Sequence, residues 1–169
     1  MDEENLLEGI TTDTVAVLTS NIDNMDGELL GALMERFFEL GALDVSYTPI
    51  QMKKNRPATA LTIMCSLERE KIVVNALLRE TSTLGVRVEH MQRYIAAREQ
   101  QSLETPFGRV RFKLKRLGGH IVHARPEFDD CQRIAQEQHI PFVDVQRVLM
   151  SVAQQHYPTP IIENSNEQV

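Results

Sequence analysis

Two adjoining stretches decide the fold of this chain: TVAVLTSNI at residues 14–22 and NMDGELLGALMERFFELGA at residues 24–42. The first alternates with a period of two, which is typical of a β-strand, and it places Val15 and Val17 on one face. In the second, leucine and phenylalanine recur at the helical period behind capping side chains, and Gly41 can end the helix. The sequence therefore predicts a strand followed by an amphipathic helix.

The same two patterns continue along the chain. They predict strands at 43–52 and 59–65, a helix at 67–81 with Ile72, Val73, Ala76 and Leu77 facing inward, and a strand at 85–97. The resulting order, βαββαβ, is that of ferredoxin-like folds. We therefore predict an α+β protein whose first part is a ferredoxin-like subdomain.

The remaining residues predict a smaller α+β subdomain of β-grasp-like type. Their patterns indicate a hairpin at 100–117, a strand at 120–124, and helices at 126–139 and 141–155. In the hairpin, apolar residues alternate with cations, which predicts one buried face and one solvated basic face. The expected division is a flexible leader at 1–12, the ferredoxin-like subdomain at 13–97, the second subdomain at 98–156 and a flexible tail at 157–169.

Composition narrows the functional classes. The 169 residues are 42% hydrophobic and carry a formal net charge of −6, which is ordinary for a globular protein. No apolar run could span a membrane and the N-terminus, MDEENLLEG, is acidic, so we predict a cytoplasmic protein with no membrane partner. Because an acidic protein repels the phosphate backbone, we expect no nucleic-acid partner. Cys65 and Cys131 lie in apolar contexts and are expected to be reduced core thiols.

The acidic chain nevertheless contains a basic stretch, PIQMKKNRPATA at residues 49–60. Lys53, Lys54 and Arg56 fall within four residues, and no carboxylate occurs from Val45 to Leu67. These residues are common at a solvated hairpin tip, which is the simpler interpretation. The alternative is an anion clamp that converges on the oxygens of a pyrophosphate or triphosphate, and the absence of acids favours it.

Two further polar stretches allow both a structural and a functional interpretation. NIDNMD at residues 21–26 can end a strand and cap a helix, or Asp23 or Asp26 can hold a divalent cation on phosphates. RETSTLGVR at residues 79–87 can be a plain helix-end loop, or it can add two arginines and several hydroxyls to an anion site. The end of the first strand and the basic turn need not meet within one chain and could meet across a subunit interface.

Six motifs in order resemble a known family. SNIDNM, GALDV, TPIQMKKNRP, RETSTLGVR, ETPFGRVRFKLKR and RPEFDDCQRIA are similar to the C-terminal half of the LarC family, the nickel-insertion proteins of the lactate racemase nickel-pincer cofactor pathway. The resemblance runs from about Thr14 to Leu149. Thr19 and Asn24 stand where this family usually carries acids, so a metal role must rest on Asp23, Asp26 or another carboxylate.

The resemblance implies a function that the residue patterns alone do not. The family is a CTP-dependent cyclometallase, or nickel chelatase of the lyase class, that inserts nickel into pyridinium-3,5-bisthiocarboxylic acid mononucleotide. Its C-terminal half would bind CTP with Mn²⁺ or Mg²⁺, and its N-terminal half, absent here, is the better candidate to hold nickel. The domain alone would then lack full activity, and a homo-oligomer is expected.

Combining the residues with the resemblance gives a candidate site. The expected nucleotide-binding residues are Lys53, Lys54, Arg56, Arg79, Arg87, Thr83 and Asn21. The expected metal-binding residue is Asp23, with Asp44 or Glu80 as alternatives. The sequence identifies no catalytic residue. Two other classes stay open: an oligomeric ferredoxin-like regulatory domain that senses a small ligand, and an assembly domain whose basic faces meet acidic partner surfaces.

Overall fold

The computed structural model describes residues 9–158, which contain six strands and four α-helices. The described chain forms two compact units: the first unit is Thr12–Arg93, and the second contains residues 94–158 together with residues 9–11. Residues 1–8 of the predicted leader and residues 159–169 of the predicted tail lie outside the described part. None of the helices within residues 9–158 is long and apolar enough to cross a membrane.

The first unit has the predicted βαββαβ order. Its elements are β1 (Ile10–Ile22), α1 (Gly27–Glu39), β2 (Ala42–Met52), β3 (Arg56–Ser66), α2 (Glu70–Glu80) and the first part of β4 (Arg87–Thr105). The strands lie in the order β2-β3-β1-β4, and β3 is antiparallel to both β1 and β2. This arrangement confirms the ferredoxin-like prediction.

Both helices of the first unit pack on one face of its sheet. In β1, Ala16, Leu18 and Ile22 join the core against α1 and α2. The alternation of β1 is therefore as predicted: Val15 and Val17 belong to the opposite face, where Val15 is buried and Val17 is half-buried. Successive side chains of a strand point to opposite faces of the sheet. When even-numbered residues of β1 pack in the core, the odd-numbered residues therefore lie on the other face.

The ends of the two helices differ from each other. Helix α1 begins as expected, since the Asp26 carboxylate accepts a hydrogen bond from the Leu29 backbone N–H at 3.1 Å. Gly41, with φ of 96°, follows its end. Helix α2 begins at Glu70 without a side-chain cap, three residues later than predicted. Ile72 is 43% exposed, contrary to the inward position predicted for it, because the buried stripe of α2 begins one residue further along.

The β2–β3 hairpin ends in a short and strained turn. Met52 is the last residue of β2 to pair, and its partner is Arg56, so Lys53–Asn55 alone form the connection as a single 3₁₀ turn. Lys54 and Asn55 have φ of 61° and 55°, which lie in the left-handed region of backbone conformation that residues with a Cβ rarely adopt. The turn therefore presents its cations from an unusual backbone conformation.

The second unit packs two helices on one face of a three-stranded sheet. It contains the last part of β4, β5 (Gly108–Leu117), β6 (His120–Pro126), α3 (Phe128–Gln138) and α4 (Phe142–His156), with strand order β4-β5-β6. Its core includes Val110, Phe112 and Leu114 of β5. The prediction of one buried and one basic face of β5 is confirmed by this burial pattern.

Strand β4 differs from the prediction, which placed one strand before Arg98 and a separate strand after it. The structure has one strand of 19 residues through this point. Its pairing with β5 runs without a break from Ala97 opposite Arg116 to Thr105 opposite Gly108. No glycine or proline interrupts the segment, so nothing in it ends the strand.

Both cysteines are buried free thiols, as predicted. Cys65 lies in the core of the first unit and Cys131 in that of the second. Burial raises the pKa of both thiols, because desolvation disfavours the thiolate. They therefore act as small apolar core residues.

Candidate anion-binding site

A polar pocket of about 390 Å³ lies where β1 ends and β4 begins in the first unit. Three chain segments supply its walls: the end of β1 with the following loop, the end of β2, and the loop between α2 and β4. The lining residues are Asn21, Asp23, Asn24, Met52, Ser82, Thr83, Leu84, Gly85 and Arg87. Four of the residues predicted from the sequence, Asn21, Asp23, Thr83 and Arg87, thus share one pocket.

Arg87 is held in the pocket by the neighbouring strand. Its Nη2 donates a hydrogen bond of 2.8 Å to Oδ1 of Asn21. The two residues come together because β1 and β4 are adjacent in the sheet, although they are 66 positions apart in the chain. An amide oxygen orients the guanidinium without neutralising it, so its positive charge stays available to an anion.

Hydroxyl side chains shape the loop between α2 and β4. The hydroxyl of Thr81 accepts from the Thr83 backbone N–H at 3.2 Å, and the hydroxyl of Thr83 donates to the Gly85 carbonyl at 2.9 Å. The same carbonyl accepts a 2.8 Å hydrogen bond from Ser20, a fully buried residue of β1. Ser82 also donates to the side chain of Asn24. These bonds fix the loop against the end of β1 and hold its polar groups at the pocket.

The basic turn reaches the same end of the sheet. Arg56 Nη1 lies 3.2 Å from Oδ2 of Asp23, a pocket residue. Lys53 and Lys54 are exposed beside Met52, which also lines the pocket. The end of the first strand and the basic turn therefore meet within one chain, so a subunit interface is not needed to join them. The hairpin reaches the loop because β3 pairs with both β1 and β2.

The charges around this pocket favour an anion. Arg87 lines the pocket and Arg56 reaches its Asp23 carboxylate, while Lys53 and Lys54 are exposed in the turn that follows Met52. Among the residues that line the pocket, Asp23 supplies the one carboxylate. An exposed ion pair such as Arg56–Asp23 contributes little stability, so exchanging it for contacts with a ligand costs little. The arrangement can bind a polyphosphate through several charge-assisted hydrogen bonds.

Three other predicted residues lie away from the pocket. Arg79 donates to Asn75 at 3.0 Å, one turn back on α2. Glu80 pairs with Arg36 of α1 at 3.5 Å. Asp44 lies near the start of β2, eight residues before Met52, or roughly 26 Å along an extended strand. Within the described residues, Asp23 is thus the metal candidate that the structure places at the pocket.

Asn24, Ser82 and Met52 line the pocket but were not selected from the sequence. Each lies within a motif that was recognised, next to a selected residue. Both Asn24 and Ser82 are small polar residues of loops, a type that occurs throughout surface loops and carries no signal of its own. Only the pairing of distant strands shows that they face the same space.

A divalent cation fits this pocket only together with phosphate. Within residues 9–158, no group of three or more histidine, cysteine or acidic side chains is arranged to hold a metal ion. Mg²⁺ or Mn²⁺ that arrives on a nucleotide needs only one or two carboxylates besides phosphate oxygens and water. Asp23, with the amide oxygens of Asn21 and Asn24 nearby, meets that requirement.

Fold and pocket together define a class of protein: a ferredoxin-like α+β domain with a cation-rimmed polar pocket at one end of its sheet. The chain belongs to the family of nickel insertion proteins, which it matches over residues 4–146. This membership confirms the resemblance of the six sequence motifs.

Two curated relatives carry the name pyridinium-3,5-bisthiocarboxylic acid mononucleotide nickel insertion protein. The one from Acetivibrio thermocellus is 46% identical over 133 residues, which cover 79% of this chain and 32% of the relative. The one from Thermotoga petrophila is 39% identical over 129 residues, which cover 76% of this chain and 32% of the relative. The chain thus spans about a third of the length of these relatives.

A solved structure is similar over the whole domain. It is LarC2, the C-terminal domain of a cyclometallase involved in the synthesis of the NPN cofactor of lactate racemase, in its apo form. It is 39% identical, with a TM-score of 0.81, and the match covers 86% of this chain and 100% of that chain. The present chain therefore corresponds to the C-terminal part of the LarC proteins.

Proposed function

We propose that this chain is the CTP-binding domain of a CTP-dependent cyclometallase, a nickel chelatase of the lyase class that forms the nickel-pincer nucleotide cofactor of lactate racemase. The observation that carries the proposal is the pocket in which Asn21, Asp23, Thr83 and Arg87 converge beside a basic turn free of acids. Membership of the nickel insertion family supports the rest.

The binding roles follow from the chemistry of each side chain. Lys53, Lys54 and Arg56 neutralise the triphosphate from the hairpin tip, where their charges are exposed. Arg87 binds phosphate oxygens with the donors that Asn21 does not occupy. Backbone N–H groups of the loop supply further hydrogen bonds, and the Thr83 hydroxyl joins them when it turns from the Gly85 carbonyl to a phosphate oxygen.

A divalent cation, Mn²⁺ or Mg²⁺, accompanies the nucleotide in this proposal and lowers the net charge of its phosphates. Asp23 is its protein ligand, and releasing Asp23 frees Arg56 for the phosphates. When the Arg56–Asp23 pair separates, both side chains gain a new partner of opposite charge: Asp23 binds the cation and Arg56 binds phosphate.

Nickel is the substrate metal, and the pyridinium mononucleotide named in the relatives is the organic substrate. Because the chain spans about a third of those relatives, we propose that it works with the N-terminal half of the same enzyme and lacks full activity alone. We retain the cytoplasm as its proposed location, where the buried thiols of Cys65 and Cys131 stay reduced.

We also propose a homo-oligomer. Neither α1 nor α2 covers the sheet face that carries Val17, Thr62 and Met64, all half-buried. A second copy can cover this surface. Light scattering at several protein concentrations tests this assembly independently of nucleotide binding.

Isothermal titration calorimetry with CTP and Mn²⁺ tests the nucleotide site. The double variant Lys53→Ala/Lys54→Ala is expected to weaken binding at least tenfold, because it removes two of the four cations. The matched control is Lys71→Ala/Arg109→Ala, which removes two exposed cations elsewhere and is expected to bind normally. Equal affinity of both double variants and the wild type would show that the basic turn does not bind the nucleotide.

A panel of ligands separates this function from a regulatory one. In thermal-shift measurements with Mn²⁺, CTP is expected to raise the unfolding midpoint more than ATP, GTP or UTP does. If an amino acid or another metabolite stabilises the chain while CTP has no effect, the domain is a ligand sensor instead.

A further inference from the structure

The exposed face of the second unit's sheet carries a compact group of four cations and one histidine. Arg98 of β4 is paired with Lys115 of β5, and Lys115 is also paired with His123 of β6. In the next row, Lys113 of β5 is paired with Arg125 of β6. Residues paired in antiparallel strands share a face, so these five side chains form one cluster, which we call the cationic grid.

A contribution to the stability of the fold does not explain why these cations lie together. Like charges directly opposite each other on neighbouring strands are destabilising, and the pairs Arg98–Lys115 and Lys113–Arg125 are both of this kind. A solvated face that served only stability would alternate cations with acids. The chain does so elsewhere on the same face, where Arg109 is paired with Glu104.

Little negative charge offsets the grid. Lys113 lies 3.1 Å from Glu127, and Arg125 donates to Nε2 of His123 at 3.2 Å. Within residues 9–158, neither Arg98 nor Lys115 is part of a salt bridge. Their charges are therefore open to a ligand.

The grid also surrounds a concave space. All five residues line a pocket of about 380 Å³ whose other walls are Ala96, Ala97 and Leu114. Ala96 and Ala97 are small, and the Leu114 side chain is buried in the core, so the space beside the cations has room for a flat ring and a sugar next to an anionic group. A volume of about 380 Å³ is large enough for a mononucleotide.

We propose that the cationic grid binds an anionic mononucleotide, the class of the organic substrate, through its phosphate monoester and its carboxylate-type groups. This inference rests on the proposed function, which supplies a mononucleotide with three acidic groups as substrate. Lys115 and Arg98 bind the phosphate, and Arg125 and Lys113 face the remaining acids. The polar pocket of the first unit is left to CTP.

Calorimetry with nicotinic acid mononucleotide, a stable pyridinium mononucleotide, tests the grid. The variant Arg98→Gln/Lys115→Gln is expected to bind this probe at least tenfold more weakly than the wild type. Lys115→Arg keeps the charge and is expected to bind normally, which separates charge from a general defect. Arg109→Gln, on the same strand and face but outside the pocket, is expected to leave the affinity unchanged.

The nature of the ligand is tested with nicotinic acid riboside and inorganic phosphate. The riboside, which lacks phosphate, is expected to bind at least tenfold more weakly than the mononucleotide, and phosphate alone is expected to compete only weakly. If the wild type does not bind the mononucleotide, or if Arg109→Gln weakens it as much as the grid variant does, the site is refuted.

A parallel titration with CTP and Mn²⁺ keeps the two hypotheses apart. The grid variant is expected to bind CTP as the wild type does. Failure of the wild type to bind CTP would refute the proposed function. The titration with the mononucleotide would still show whether the cationic grid binds that ligand. Loss of CTP binding in the grid variant would show that CTP itself occupies the grid, which contradicts the inference.

Discussion

Arg56 Nη1 lies 3.2 Å from the Asp23 carboxylate, which joins the tip of the β2–β3 hairpin to the residue that follows β1. Both partners are required by the proposed nucleotide site, one for phosphate and one for the divalent ion. Without a ligand, the Arg56 guanidinium and the Asp23 carboxylate pair with each other. The pair therefore links metal binding to the release of a phosphate-binding arginine.

Replacing Asp23 by Asn tests this link. Without divalent ions, D23N is expected to bind CTP about threefold more tightly, because a carboxylate that repels phosphate and occupies Arg56 is gone. With Mn²⁺, the gain in affinity that the metal gives is expected to be smaller than in the wild type. Calorimetry with and without Mn²⁺ measures both effects.

Asp44→Asn is the matched control, since Asp44 lies at the far end of β2. It is expected to retain the full effect of Mn²⁺. A loss of the metal effect in D44N, with normal behaviour in D23N, would reverse the assignment of the metal-binding residue.

Arg87 is expected to be more important than Arg79, although the two stand in the same motif. Arg87→Gln removes a charge that the Asn21 amide orients into the pocket, and a charge-assisted hydrogen bond is worth about 1.5–3 kcal/mol. We expect CTP affinity to fall about tenfold or more in calorimetry. Arg79→Gln removes a guanidinium that donates to Asn75 instead, and it is expected to bind normally. Equal losses in both variants would mean that only the overall charge matters.

Lys54 is expected to show a conflict between stability and binding. Its φ of 61° is unfavourable for a residue with a Cβ, so Lys54→Gly is expected to raise the free energy of unfolding by about 0.5–1 kcal/mol. The same change removes a cation and is expected to weaken CTP binding. Urea denaturation and calorimetry measure the two effects.

Lys53→Gly provides the comparison, because Lys53 is not among the residues with positive φ. It is expected to weaken binding without stabilising the fold. A gain in stability in K53G as large as that in K54G would contradict the strain argument.

The Arg111–Asp130 pair is expected to make the second unit sensitive to acid. Two guanidinium hydrogen bonds of 3.0 Å and one from the Arg111 backbone N–H at 2.9 Å reach the buried carboxylate. The side-chain hydrogen bond from Arg111 is the main cause of a lowered pKa of Asp130. The unfolded chain thus binds this proton more readily, so the stabilisation is present above about pH 4 and is lost as the pH falls through the lower folded value.

Asp130→Asn is therefore expected to reduce the free energy of unfolding by about 2–3 kcal/mol at pH 7, and by clearly less near pH 3. Urea denaturation at both values measures the difference. Asp129→Asn changes an exposed neighbour and is expected to have a small effect at either pH. A destabilisation of D130N that is the same at pH 7 and pH 3 would exclude the ionised pair as its cause.

Local patterns were sufficient for most of the fold. The alternation in β1, the helical period and the Asp26 cap of α1, and the apolar–cationic alternation of β5 each depend on residues close in sequence. The exceptions are positions where tertiary packing decides. Ile72 satisfies the helical period but lies at the edge of the buried stripe, and β4 continues past Arg98 because its neighbour β5 continues to pair with it.

The amino-acid sequence alone was enough to predict the α+β class, the ferredoxin-like arrangement, the basic turn and the likeness to nickel insertion proteins. Each of these depends on periodicity, turn chemistry or motifs, which are properties of residues close together in the chain. Strand pairing was needed to show that Arg56 meets Asp23, that Arg87 meets Asn21, and that Arg79, Asp44 and Glu80 lie elsewhere. It was also needed to bring Arg98, Lys115 and His123 into one row. A binding site requires charges to be close in space, and only the packed sheet sets the distances between residues that are far apart along the chain.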